Sequence, residues 1–92
     1  MNKSDGIALT TKHEALIHSE NMKVISHVQR EDDEWIVNTL MLENIDVPFK
    51  FKRPTAYKSL QGQRVNLTYY RDIEKVAGFE IEIMKVVRVK VS

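Results

Sequence analysis

The 92-residue chain contains no cysteine, only three glycines and two prolines, and a single tryptophan. Without a thiol there is no disulfide framework, no thiolate metal site and no cysteine nucleophile, and nothing ties the chain to an oxidising compartment. No apolar run approaches the roughly 20 residues of a membrane-spanning helix, and the opening stretch MNKSDGIALTTKHEALIHSE lacks the apolar segment of a signal peptide. A cytoplasmic protein with no membrane partner is the expectation. With 42% apolar and 29% charged residues the composition is that of a folded chain. It has room for one domain over residues 1–92, with residues 1–10 a candidate disordered tail.

Motifs that carry chemistry are equally scarce. The serines at positions 4, 19, 26, 59 and 92 sit in no glycine-flanked elbow, and there is no phosphate-cradling glycine loop or dinucleotide fingerprint. A zinc site needs three or four ligands converging at about 2 Å, and the only imidazoles are His13, His18 and His27. On a helix, positions five apart point about 140° away from each other, so His13 and His18 would diverge. Glu14 and His18, at i, i+4 spacing, read as a surface hydrogen bond. The run Glu31, Asp32, Asp33, Glu34 lacks the spacers and the glycine of a calcium loop and reads as a solvated hairpin tip. No catalysis, no metal and no cofactor are expected.

What the chain does have is uneven charge. The net charge is +1, but residues 20–46 carry −5 and residues 47–78 carry +5. An acidic region therefore precedes a basic one.

The hydropathy pattern reads mainly as strand. Thr11–Glu14 fits a capping box, predicting a helix over residues 12–19, with a strand over the same residues as the alternative. MKVISHVQRE and WIVNTLMLE flank the acidic cluster as two arms of a hairpin, whose glycine-free turn argues against a tight two-residue type. In VPFKFKR, Val47, Phe49 and Phe51 alternate with Lys50 and Lys52, so the phenylalanines are candidate core and the lysines candidate surface. Pro54 ends that strand, and a short helical turn is expected over Thr55–Leu60. After Gly62, RVNLTYY sets Val65, Leu67 and Tyr69 together and Arg64, Asn66, Thr68 and Tyr70 on the opposite side. Asp72 and Gly78 suit a second short helical turn, with a longer hairpin loop as the alternative. In FEIEIMKVVRVKV, Phe79, Ile81, Ile83, Val87, Val89 and Val91 share one parity, so Ile81 and Val89 join Phe49, Phe51 and Leu67 as expected core. Trp35 reads as an anchor in the core or at its mouth, and otherwise as a stacking platform.

Five strands, mostly antiparallel, with short connections imply a small five-stranded antiparallel barrel, since closure hides the edges of a flat sheet. Three strands, a short insertion near Thr55–Leu60 and two more strands are similar in order to the oligonucleotide/oligosaccharide-binding (OB) barrel. An SH3-like barrel with an N-terminal helix is the competitor. Both are likenesses of strand order over residues 22–91.

Single-stranded nucleic acid is held by cations on the phosphates and aromatics under the bases. Lys50, Lys52, Arg53, Tyr57, Lys58, Arg64, Tyr70 and Arg71 can supply both, and are the candidate ligand-binding residues. The expected function is that of a non-catalytic binding module contacting single-stranded nucleic acid, another polyanion or an acidic protein. The alternative is a homodimer built from complementary acidic and basic faces. The bland reading of the same cations is a solvated face that keeps strand edges from aggregating.

Overall fold

The structure, a computed structural model, describes residues 15–92. Its regular structure is all β: β1 (Ile17–Asp32), β2 (Trp35–Leu42), β3 (Phe49–Arg53), β4 (Arg64–Val76) and β5 (Phe79–Val91), with no helix among the described residues. The five strands form one sheet that closes into a ring in the order β1-β2-β3-β5-β4, with β4 returning to β1. Four of the junctions are antiparallel. The fifth, β3 against β5, is parallel and is only two residue pairs long, Phe49 with Met84 and Lys50 with Lys85. The sheet is thus mostly antiparallel, as the sequence implied, and departs from an antiparallel barrel at this one junction: β4 and β5 form a hairpin, so whichever of them lies next to β3 fixes the direction there.

The alternating patterns of β2, β3 and β4 fill the ring. Leu40, Leu42, Phe49, Phe51, Val65 and Leu67 are buried, and Val24 of β1 joins them. Phe49 meets Tyr69 edge to face, with ring centroids 4.8 Å apart. Each large apolar side chain contributes about 1.5–3 kcal/mol by leaving water. Asn38 is the one fully buried polar side chain among them, and it is paired: its Oδ1 lies 2.7 Å from His27 Nε2, and its Nδ2 donates to the Ile36 carbonyl.

Several sequence expectations are corrected. β1 starts at Ile17, five residues earlier than the hydropathy pattern implies, so residues 17–19 are strand, the alternative reading of the 12–19 segment, and not helix. Ile17 and Ser19 pair with Tyr69 and Leu67, and Ser19 Oγ lies 2.9 Å from the Tyr69 hydroxyl. Tertiary pairing along β4 outweighs a local capping preference. The capping residues Thr11–Glu14 lie outside the described residues, as do residues 1–10 and His13. His18 sits on a strand with its Nδ1 2.9 Å from Thr68 Oγ1, and its expected helical partner Glu14 lies outside the described residues.

The β1–β2 turn is a two-residue connection after all, because Asp32 pairs with Trp35. Asp33 adopts φ 59°, a left-handed geometry that aspartate tolerates better than most side chains. The Asp72–Gly78 stretch is neither a helical turn nor a long loop. β4 runs on to Val76, which pairs with Phe79 across Ala77 (φ 50°) and Gly78 (φ 84°). Positive φ at both central residues is the pattern of a type I′ hairpin, whose twist matches that of its strands.

Thr55–Leu60 is irregular and not helical. Side chains from β1 hold it in place. Gln29 donates from Nε2 to the Tyr57 carbonyl and accepts the Tyr57 N–H on Oε1, both at 2.7 Å. His27 Nδ1 accepts the Leu60 N–H at 2.8 Å, which leaves Nε2 to donate to Asn38. The segment thus satisfies its backbone without making a helical turn. It closes one end of the ring with Leu60 buried and Tyr57 half-buried against Phe51.

The largest departure lies in β5. Thr68 pairs with Arg88 but Tyr69 pairs with Val86, so Val87 is an extra residue bulged out of the ladder. One inserted residue reverses which side of the sheet each later side chain occupies. Val89 and Val86 face the core from either side of the bulge. Phe79, Ile81 and Ile83, which share Val89's parity in the sequence, pair with Val76, Glu74 and Asp72 and face outward with Lys85 and Tyr70. Ile81 is therefore no core residue, being exposed along with Phe79; Ile83 alone of the three is buried. Beyond Arg71 and Met84 the two strands pair only with each other, forming an arm that extends from the ring.

Candidate nucleic-acid interface

Each strand of a closed ring sends alternate side chains inward, so every residue between the core positions is placed on the outer surface. On β3 those residues are Lys50 and Lys52, between and beyond the buried Phe49 and Phe51. On β4 they are Arg64, Asn66, Thr68 and Tyr70, which interleave with Val65, Leu67 and Tyr69. On β5 the bulge brings Lys85, Arg88 and Lys90 outward, because Val86 and Val89 turn in. Lys23 of β1 completes the set beside Arg64.

Strand register arranges these side chains in rows. Lys50, Lys85 and Tyr70 lie across β3, β5 and β4. His18, Thr68 and Arg88 form the next row, Asn66 and Lys90 another, and Lys23 with Arg64 the last. Every row holds at least one cation. Two rows set like charges directly opposite each other, Lys50 with Lys85 and Lys23 with Arg64, an arrangement that destabilises a sheet unless an anion compensates. Glu74 on the arm does so in part: its Oε1 lies 2.7 Å from Lys50 Nζ, the only ion pair among the described residues. Arg64 instead donates from Nη1 to the Asn21 carbonyl at 3.0 Å.

The eight residues expected to bind do not form one cluster. Lys50, Lys52, Arg64 and Tyr70 share the outer surface of β3, β5 and β4. Arg71 has the opposite parity and pairs with Met84 on the other side of the hairpin. Arg53 stacks over Phe51 and Tyr57, at 4.9 and 5.7 Å from their ring centroids, and its Nη1 donates to the Lys52 carbonyl. Tyr57 and Lys58 border a recess of about 350 Å³ at the end of the ring, with Leu60, Gln63 and Val91. Lys85, Arg88, Lys90 and Lys23 were not among the expected residues. The signal for Arg88 and Lys90 was present as the alternation RVKV after Val87, but placing them on the same face as Lys85 requires the bulge, and placing Lys23 there requires the β1–β4 pairing.

A second feature adjoins the first across β3. A groove of about 380 Å³ runs between the β1–β2 turn, the outer face of β2–β3 and the arm, lined by Arg30, Glu31, Asp32, Val37, Lys50, Lys52 and Glu74. Its charges balance, so it offers no net field for a phosphate chain. Trp35, half exposed on the outer face of β2 beside this groove, is not the core anchor its sequence context implied. The parity of β2 requires this, since Asn38, Leu40 and Leu42 take the inside.

Among the described residues no three His, Asp or Glu side chains come together as a metal site, and no helix is long and apolar enough to cross a membrane. What the basic face can do is electrostatic: it presents donors and positive charge in rows with a strand spacing of about 4.8 Å. Comparison with protein-family models, with curated proteins and with solved structures finds no match to this chain.

Proposed function

We propose that the chain is a non-catalytic, cytoplasmic binding module that holds single-stranded nucleic acid on the outer face of β3, β5 and β4. The single observation that carries this reading is the set of cationic rows from Lys23 and Arg64 through Lys90 and Arg88 to Lys85, Lys50 and Lys52, whose like-charged neighbours gain from a bound polyanion. Tyr70, beside Lys85 in the same surface, offers a ring for a base. A flexible single strand can follow the curved ring from row to row, which a stiff duplex cannot do without bending. The closed five-strand order, with β4 returning to β1 and a crossover that sets β3 beside β5, supports reading the ring as a small OB-like Greek-key barrel over the SH3-like alternative.

The test is anisotropy of a labelled single-stranded oligonucleotide of about 16 nucleotides. Affinity should fall with salt at a logarithmic slope near −3, as expected when roughly four to five phosphates are neutralised. Lys85→Glu with Arg88→Glu should abolish binding, while Arg71→Glu, on the other side of the hairpin, should change it little. Equal loss in both variants, or no binding at low salt, removes the proposal.

A further inference from the structure

The outer face of β1–β2 sets exposed apolar side chains around Ser26, Arg30 and Thr39, where that of β3–β5–β4 is mainly basic. Ile25, Val28 and Trp35 are about half exposed, and Val37 and Met41 lie between them on the same side. The tip of this hairpin carries Glu31 and Asp32 at the end of β1 and Asp33 and Glu34 in the turn, all exposed. An exposed apolar sheet face with a charged rim is the kind of surface that partners cover. The chain itself carries the complementary surface, and the two faces meet along β3, where Lys52 pairs with Val37 and Lys50 with Thr39.

We infer that the occupant of the β1–β2 face is a second copy of this chain, docked so that the acidic turn and Trp35 of each copy rest on the basic rows of the other. Because the two faces adjoin, a twofold axis over β3 superimposes each on its complement reciprocally. The result is a closed pair and not a filament. Trp35 is the anchor: it is large, aromatic and suited to cover an arginine such as Arg88. The inference rests on the cationic face being open to an anionic partner, as in the function proposed above. It adds a regulatory consequence, since self-association and nucleic acid compete for the same cations.

The experiment uses the full chain and its only tryptophan as reporter. Sedimentation velocity at about 50 mM salt should show a concentration-dependent dimer that dissociates at about 500 mM, where exposed charges are screened over a few ångströms. Trp35 emission should shift to shorter wavelength as the dimer forms. Trp35→Ala should weaken dimerisation at least tenfold and Trp35→Phe much less, with circular dichroism confirming that both fold. Asp33→Lys and Arg88→Glu should each weaken it tenfold or more, and the two combined should restore part of the loss. Added oligonucleotide should return the protein to monomers. A monomer at every accessible concentration overturns the inference, as does a dimer indifferent to Trp35→Ala or to either charge reversal. Asp33→Lys leaves the basic face whole, so no dimer in the wild-type chain, or a dimer that Asp33→Lys does not weaken, sinks this inference alone when oligonucleotide binding is retained. Loss of oligonucleotide binding with an intact dimer sinks only the proposed function.

Discussion

Replacing Gln29 by alanine probes the joint on which closure of the ring's end depends. Its carboxamide makes two 2.7 Å hydrogen bonds to the backbone of Tyr57, which belongs to a segment with no helical or strand ladder of its own. Each bond contributes about 1 kcal/mol net, and a donor or acceptor left partly buried without a partner adds a desolvation cost, so the loss should total about 2–3 kcal/mol. For a domain of this size that corresponds to roughly 2–3 M in the urea midpoint at an unchanged slope, taking about 1 kcal/mol per molar for the slope. Gln29→Glu is the informative companion: its carboxylate can still accept the Tyr57 N–H but cannot donate to the Tyr57 carbonyl. It should fall between wild type and alanine. Equilibrium urea unfolding followed by circular dichroism measures both. If Gln29→Ala costs less than about 0.5 kcal/mol, water replaces the carboxamide and the segment is held by Leu60 alone.

Other outcomes follow from single features. Ala77→Asn should stabilise the protein by about 0.5–1 kcal/mol, read as a higher Tm, because a type I′ turn favours asparagine before glycine where alanine now sits at φ 50°. Gly78→Ala should destabilise by about 1 kcal/mol through φ alone, since a Cβ there meets nothing within 4 Å. Asn38→Leu should cost about 1–3 kcal/mol in chemical denaturation because it leaves the His27 Nε2–H without its acceptor. Glu74→Gln should change stability by well under 1 kcal/mol, as expected of a partly exposed ion pair, while raising oligonucleotide affinity several-fold by freeing Lys50.

The strands that alternate cleanly could be read directly from the sequence. Phe49 and Phe51 are inside and Lys50 and Lys52 outside because period-two patterning is a local property that burial on one face enforces. What could not be read is what depends on a partner distant in sequence. The helical turn expected at Thr55–Leu60 gives way to bonds from Gln29 and His27, which are about thirty residues away. The bulge at Val87 exists only relative to β4. No local cue in MKVVRVKV marks which valine drops out of the ladder, so one apolar stripe in the sequence divides into an inner and an outer one in the fold. For the same reason half of the basic face was legible, Lys50, Lys52 and Arg64 among it, while Lys85, Arg88 and Lys90 had to wait for the register. Arg53, Tyr57 and Lys58, neighbours of those residues along the chain, belong instead to the end of the ring.

The two-pair junction of β3 with β5 has a kinetic consequence. Every other seam is a longer ladder, whereas this one has two residue pairs, one of them the like-charged Lys50 and Lys85, and is secured by Phe49 against Met84 and the Met84 amide on the Pro48 carbonyl at 2.9 Å. Its strands lie 35 residues apart in the chain, so it is completed after the hairpins that flank it and is the first to part when the domain breathes. Deuterium should therefore replace the Met84 amide proton sooner than those of Leu67 or Leu40, and the Lys50–Glu74 contact beside it would act as a clasp on that opening.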